Sequence, residues 1–163
     1  MKYIFESKEI KMEYIRFGSG EKNLVIIPGL SIKSVTDSAD AIEEAYKMFG
    51  DEYTVYLFDR RKNIPSRYPI KEMAEDTAFV IKNLGIENAY LFGVSQGGMI
   101  SLYLSVYYPG LVKKLVVGST AARVTDNGKK VIREWIRLAK DEKFAELNET
   151  FAAYVYSKDF FEK

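Results

Sequence analysis

The stretch Ala89-Tyr90-Leu91-Phe92-Gly93-Val94-Ser95-Gln96-Gly97-Gly98-Met99-Ile100 decides the fold. Ala89 to Phe92 is a short apolar run with no polar face, the pattern of a strand covered on both sides in a parallel sheet. From Gln96 to Tyr108 the chain is apolar nearly all round, through Met99, Ile100, Leu102, Tyr103, Leu104 and Val106. That is the pattern of a helix buried on most sides. Ser95 falls on the sharp turn between the two. Such a turn holds its central residue in a strained backbone conformation, with Cβ standing clear and Oγ presented above the sheet. The positions two before and two after crowd the turn, and Gly93 and Gly97, with Gly98 behind, remove the side chains that would collide there. The first helical turn offers free N–H groups and a positive dipole end. The Gln96 N–H is therefore placed to face a negative oxygen developing on a group bound to Ser95. The plain alternative is a tight turn that merely contains a serine.

Working towards the N-terminus, Leu24-Val25-Ile26-Ile27 is a second apolar run, stopped by Pro28-Gly29. Before it, two alternating runs around Tyr3 to Glu6 and Met12 to Phe17 read as a hairpin or meander. A helix is expected from about Asp37 to Phe49, with Ile42, Ala45, Tyr46 and Phe49 on one face. A strand follows over Tyr53 to Phe58. Asp59-Arg60-Arg61-Lys62-Asn63 reads as a solvated charged loop rather than an anion site. Ile70, Met73, Ala74, Thr77, Ala78, Ile81 and Leu84 mark an amphipathic helix closed by Gly85. Beyond the central stretch, Leu115-Val116-Val117 is the last strand. Two helices then run over about Asp126 to Lys140 and Lys143 to Tyr156. Strand–helix–strand alternation up to Gly118 defines an α/β fold. The expectation is a mostly parallel, twisted sheet of about six strands with helices on both faces. Residues 1–120 are expected to form the core part and 121–163 the start of a helical part that follows it.

Composition bounds the chemistry. The 163 residues carry 24 Lys plus Arg against 23 Asp plus Glu, a net charge of +1, and 47% are apolar. Near-neutrality gives no reason to expect nucleic acid or an acidic membrane surface as partner. There is no cysteine, hence no disulfide, thiolate nucleophile or cysteine-held metal. That composition suits a reducing cytoplasm. There is also no histidine, which removes the usual general base and the commonest metal ligand. No metal or cofactor is expected, and no apolar run reaches the length of a membrane span.

A strand–serine turn–helix of this kind is the context of a nucleophile elbow. In that arrangement a second donor comes from the loop after the third strand, here Ile27-Pro28-Gly29-Leu30-Ser31. Gly29 permits close backbone approach, and the Leu30 N–H is the candidate donor. The chain resembles the N-terminal half to two-thirds of an α/β-hydrolase fold protein, in the esterase, lactonase and proline-iminopeptidase-like branch. The resemblance rests on Leu24 to Leu30, Tyr56 to Arg61, Leu91 to Gly98 and Tyr107 to Gly118. It implies Ser95 as nucleophile, with Gln96 and Leu30 as the two oxyanion donors. It also implies that the helices after Gly118 begin a cap. The family usually has histidine where this chain has Pro28. The resemblance further implies a catalytic acid and histidine beyond the cap, and none is assigned here.

The expected function is a serine hydrolase acting on an ester, lactone or small amide through an acyl-enzyme on Ser95. As a histidine-free chain ending in the cap, it is expected to be inactive alone. The alternatives are a non-catalytic pseudohydrolase or interaction module, or one half of a split hydrolase. Asp126 reads as part of a helix N-terminus with Thr125 and Asn127, not as a triad acid. Tyr154, Tyr156, Phe160 and Phe161 read equally as an acyl pocket or as cap packing. A last strand over Leu115 to Gly118 with no further partner would present an open edge, and self-association through it is expected.

Overall fold

The computed structural model describes residues 1–31 and 33–161. The chain divides into two compact units, Met1–Ala122 and Arg123–Lys163. In the first unit the elements are β1 (Lys2–Glu6), β2 (Lys11–Phe17), β3 (Lys22–Ile27), α1 (Ala39–Tyr46), β4 (Tyr53–Arg61), α2 (Ile70–Asn83), β5 (Ala89–Val94), α3 (Gln96–Tyr107) and β6 (Val112–Gly118). The strands form a six-stranded sheet in the order β1-β2-β4-β3-β5-β6. β1 pairs with β2, and β2 with β4, antiparallel. β4, β3, β5 and β6 run parallel.

The apolar run in β3 is buried on both faces, and the two-residue period of a strand divides it. Val25 and Ile27 enter a cluster with Ala74, Ala78 and Ile81 of α2 and Ile100 and Leu104 of α3. Leu24 and Ile26 enter a second cluster, against which Ile42 and Tyr46 of α1 pack. Thus α1 covers one face and α2 with α3 the other. The connections leaving the adjacent strands β3 and β5 pass over opposite faces. The carboxyl ends of those two strands are therefore the topological switch point, where open α/β sheets are expected to form a ligand-binding crevice.

The helix expected over Asp37 to Phe49 is broken into tight 3₁₀ turns at Val35–Ser38 and Lys47–Phe49 flanking α1. The Ser34 hydroxyl accepts the Thr36 N–H at 3.3 Å and starts the first turn early. A second correction concerns Asp59-Arg60-Arg61. These residues are not a solvated loop but the end of β4, half-buried, with Arg61 opposite Met12 of β2. Antiparallel pairing with β2 extends the strand past the last apolar residue, which hydrophobic periodicity does not reveal.

Glu13, on β2, is 5% exposed. Its carboxylate meets Lys62 at 2.6 Å and Lys2 at 3.0 Å, and accepts hydrogen bonds from Thr36 Oγ1 at 2.8 Å and Ser34 Oγ at 3.1 Å. Ser34 also lies 2.5 Å from Asp59 Oδ2. The network thus ties the chain leaving β3 to β2 and to the end of β4. Burial pushes the Glu13 carboxyl up, but the hydrogen bonds from Lys62, Lys2, Thr36 and Ser34 outweigh it and hold it at about 2, below its ordinary 4.5. A depressed carboxyl contributes stability that is present above the unfolded value and lost as pH falls through the folded one. Glu13→Gln is therefore expected to lower stability by ~2 kcal/mol at neutral pH. The difference from the parent chain should shrink as pH falls from 4.5 towards 2. Denaturant titrations of both proteins along that range measure it, and a constant difference would refute it.

In the second unit, α4 (Asp126–Lys140), α5 (Phe144–Val155) and the short α6 (Lys158–Phe161) follow one another. Periodicity reveals α4 and α5 but not the four-residue α6. The Thr125 side chain caps α4 by accepting the Gly128 N–H at 3.1 Å, and Asp126 pairs with Lys129 at 2.9 Å in the first turn. Trp135 packs against Phe151 and Tyr154, with ring centroids 5.0 and 6.0 Å away, so α4 and α5 meet through an aromatic contact. Tyr156 stacks on Phe160 at 4.7 Å. The Phe161 side chain lies outside the described residues. No helix among the described residues is long and apolar enough to cross a membrane.

Candidate active site

Ser95 is the N-cap of α3, with φ 52° and ψ −119°. A non-glycine residue held at positive φ costs on the order of 1–3 kcal/mol and persists only where its surroundings over-determine it. Here they do. The Ser95 N–H donates to Gly118 O of β6 at 3.0 Å. The Ser95 carbonyl accepts from the Gly98 N–H at 3.0 Å, the Met99 N–H at 3.2 Å and Thr120 Oγ1 at 2.6 Å. The side chain remains exposed at the end of β5.

The glycines around it are sites of close approach. A methyl group at Gly93 would meet Ser101 Oγ and lie 2.6 Å from Gly97 O, while one at Gly98 would lie 2.6 Å from Thr120 Cβ. At Gly97 it would run into the Ile27 carbonyl and sit 2.5 Å from Pro28 O. The elbow is therefore wedged against the end of β3. On the other side of the crevice, a methyl at Gly29 would lie 3.2 Å from Ser95 Cβ and 3.8 Å from its Oγ. The loop Pro28-Gly29-Leu30 thus passes directly beside Ser95. Leu30 is 80% exposed. Among the described residues, no acceptor takes the N–H of Gln96 or of Leu30.

Two contributors are not legible in the sequence. Thr120 is one: it braces the Ser95 carbonyl from the turn after β6, where Ser119 also has positive φ at 47°. Arg60 is the other. Its Nη2 donates to Pro28 O at 2.7 Å and its Nε to Gln96 Oε1 at 3.2 Å. It therefore joins the carboxyl end of β4 to both sides of the crevice. Burial lowers the Arg60 pKa, and the nearby Asp59 and Tyr68 oppose that shift. A guanidinium starts so far above neutrality that it remains charged. The signal that finds Arg60 is the paired register of β2 and β4, which only the structure supplies.

A mostly parallel sheet with helices on both faces, a switch of chain direction between β3 and β5 and a strained serine at a strand–helix turn define a hydrolase-type α/β architecture. Residues 22–158 match the family described as alpha/beta hydrolase fold, and the chain belongs to that family. It is similar to the serine hydrolase BPHL of Mus musculus, with 26% identity over 130 residues, covering 75% of this chain and 44% of the relative. It is also similar to 3-oxoadipate enol-lactonase 2 of Acinetobacter baylyi, with 23% identity over 123 residues, covering 72% and 45%. Among solved structures, the alpha/beta hydrolase MGS-M2 from a Medee basin deep-sea metagenome library superposes with a TM-score of 0.84 at 23% identity. That superposition covers 98% of this chain and 59% of the other. The chain thus spans less than half the length of these two curated relatives.

Proposed function

We propose that Ser95 is the nucleophile of a serine hydrolase acting on an ester, lactone or small amide. The single observation that carries this reading is the backbone of Ser95, held at φ 52° with its side chain exposed beside Gly29. Ser95 Oγ attacks the substrate carbonyl, and its proton passes to a general base. The N–H groups of Gln96 and Leu30 receive the tetrahedral oxyanion. Collapse breaks the C–O or C–N bond and expels the alcohol or amine, which takes up the proton from the base. Water, deprotonated by the same base, then attacks the acyl-serine, releasing the carboxylic acid and returning the proton to Ser95 Oγ. The names of two relatives, a serine hydrolase and an enol-lactonase, support the substrate class. The 163 residues contain no histidine, so no imidazole among them serves as that base. We assign the base to a group outside this sequence, from either the same or a second polypeptide. The same zero count favours a second reading, a non-catalytic member of the family that uses the crevice for binding.

A fluorophosphonate probe separates the two. Catalysis without a complete triad retains a residual rate from the oxyanion donors. Ser95 is therefore expected to be phosphonylated slowly, as read by intact mass and peptide mapping, and Ser95→Ala to prevent it. Turnover of an activated ester should stay near background. Persistent absence of label on Ser95 would favour the binding reading. Turnover at ordinary hydrolase rates, abolished in Ser95→Ala, would show that a base lies within these residues.

A further inference from the structure

Arg60 carries a charge beside the Ser95 turn that no carboxylate among the described residues meets in a direct ion pair. Its neighbour Arg61 pairs with Asp76 at 3.3 Å, and Tyr68 donates to the same carboxylate at 2.7 Å. Arg60 forms no ion pair among the described residues. Its two side-chain partners are the neutral oxygens of Pro28 and Gln96. The adjacent Asp59 carboxylate is engaged elsewhere, by the Ser34 hydroxyl at 2.5 Å and by the Arg60 backbone N–H at 2.7 Å. A guanidinium has five N–H donors in a planar fork suited to a carboxylate. Two acceptors leave part of that fork open. No buried side-chain nitrogen of the described residues lacks a partner, so the open part of the fork is not sealed inside the protein. A half-buried cation with no direct ion-pair partner is held at an energetic disadvantage, which the nearby Asp59 charge reduces and an incoming anion in direct contact reduces further.

The position of this charge matters as much as its state. Gln96 carries one proposed oxyanion donor, and Pro28 lies two residues before the other, Leu30. Resting on the assignment of Ser95 as nucleophile, we propose that Arg60 is a specificity-determining residue that selects ester or lactone substrates bearing a carboxylate. The neutral hydrogen bonds hold the fork in place, and the remaining N–H groups take the substrate's anion.

The test uses the 163-residue chain and two alkyl fluorophosphonates of matched length, one ending in a methyl group and one in a carboxylate. Initial rates of Ser95 labelling are measured for each. The carboxylate probe is expected to label the parent chain faster. The ratio of the two rates should fall at least tenfold in Arg60→Gln and be largely kept in Arg60→Lys. It should also shrink as salt is raised from low to high, because the attraction is screened. An unchanged ratio in Arg60→Gln, or no preference for the carboxylate probe in the parent chain, would overturn the proposal. The second of these needs no variant to fold. Failure of both probes to label Ser95 would instead overturn the nucleophile assignment, and the Arg60 proposal with it.

Discussion

Gly97→Ala is expected to remove a large part of the folding stability of the first unit. The added methyl would enter the Ile27 carbonyl and lie 2.5 Å from Pro28 O. Neither is the end of a flexible side chain. Both are backbone, at the end of a strand whose residues Val25 to Ile27 are 0–2% exposed. Relief requires α3 to move away from β3, which breaks the wedge that holds Ser95 at positive φ. Overpacking a rigid interior costs about 1–3 kcal/mol, and a backbone clash lies at or beyond that upper end. Domains of this kind have total stabilities of about 5–15 kcal/mol. Denaturant unfolding should therefore show a midpoint far below that of the parent chain, with loss of Ser95 labelling. Gly110→Ala is the matched control, since nothing lies within 4 Å of the methyl it would add. It should change stability by no more than ~0.5 kcal/mol. Equal stability of the Gly97→Ala and Gly110→Ala proteins would show that the elbow yields freely, contrary to the close packing described.

The second large effect is expected in solution state. β6 is the last strand of the sheet, paired only with β5 among the described residues. A free strand edge is a template for pairing with another chain, and lysines on the edge oppose it. β6 has Lys113 and Lys114 in its first half, but its second half carries Val116 and Val117, 60% and 41% exposed. We propose that two copies associate through the Leu115 to Gly118 half of the edge. The symmetric solution is an antiparallel pairing of β6 with β6, the same patch serving both copies. Sedimentation of the chain should show a concentration-dependent dimer or larger species. Val116→Lys, which extends the charged edge, should shift it towards monomer. A parent chain that stays monomeric at high concentration would refute the proposal.

Hydrophobic pattern made the architecture readable because burial on both faces leaves a continuous apolar run. Leu24 to Ile27 and Ala89 to Phe92 are such runs, and both are central parallel strands. The amphipathic period of Ile70 to Leu84 likewise marks α2, and its end at Gly85 follows from a backbone at φ 67°. The elbow was legible because its steric demands fall on neighbours in sequence: Gly93, Ser95 and Gly97 are two residues apart. The end of β4 was not legible. Asp59, Arg60 and Arg61 are charged, and charge at the end of an apolar run ordinarily signals solvent. What keeps them in the sheet is pairing with β2 and hydrogen bonds to residues distant in sequence.

The amino-acid sequence by itself determined the α/β class and the place of Ser95 at a strand–helix turn, because each depends on residue type at local spacing, and its composition shows that none of the 163 residues is a histidine. Only the tertiary structure decided that Arg60 and Thr120 reach the turn and its flanking loop, and that the Glu13 network joins the chain leaving β3 to β2 and the end of β4. Those contacts join residues 25 to 36 positions apart for Ser95 with Thr120, Gly97-side Gln96 with Arg60, and Pro28 with Arg60. A polar side chain's partner is set by which strands the sheet places side by side, and sheet order is a property of the folded chain rather than of any local run.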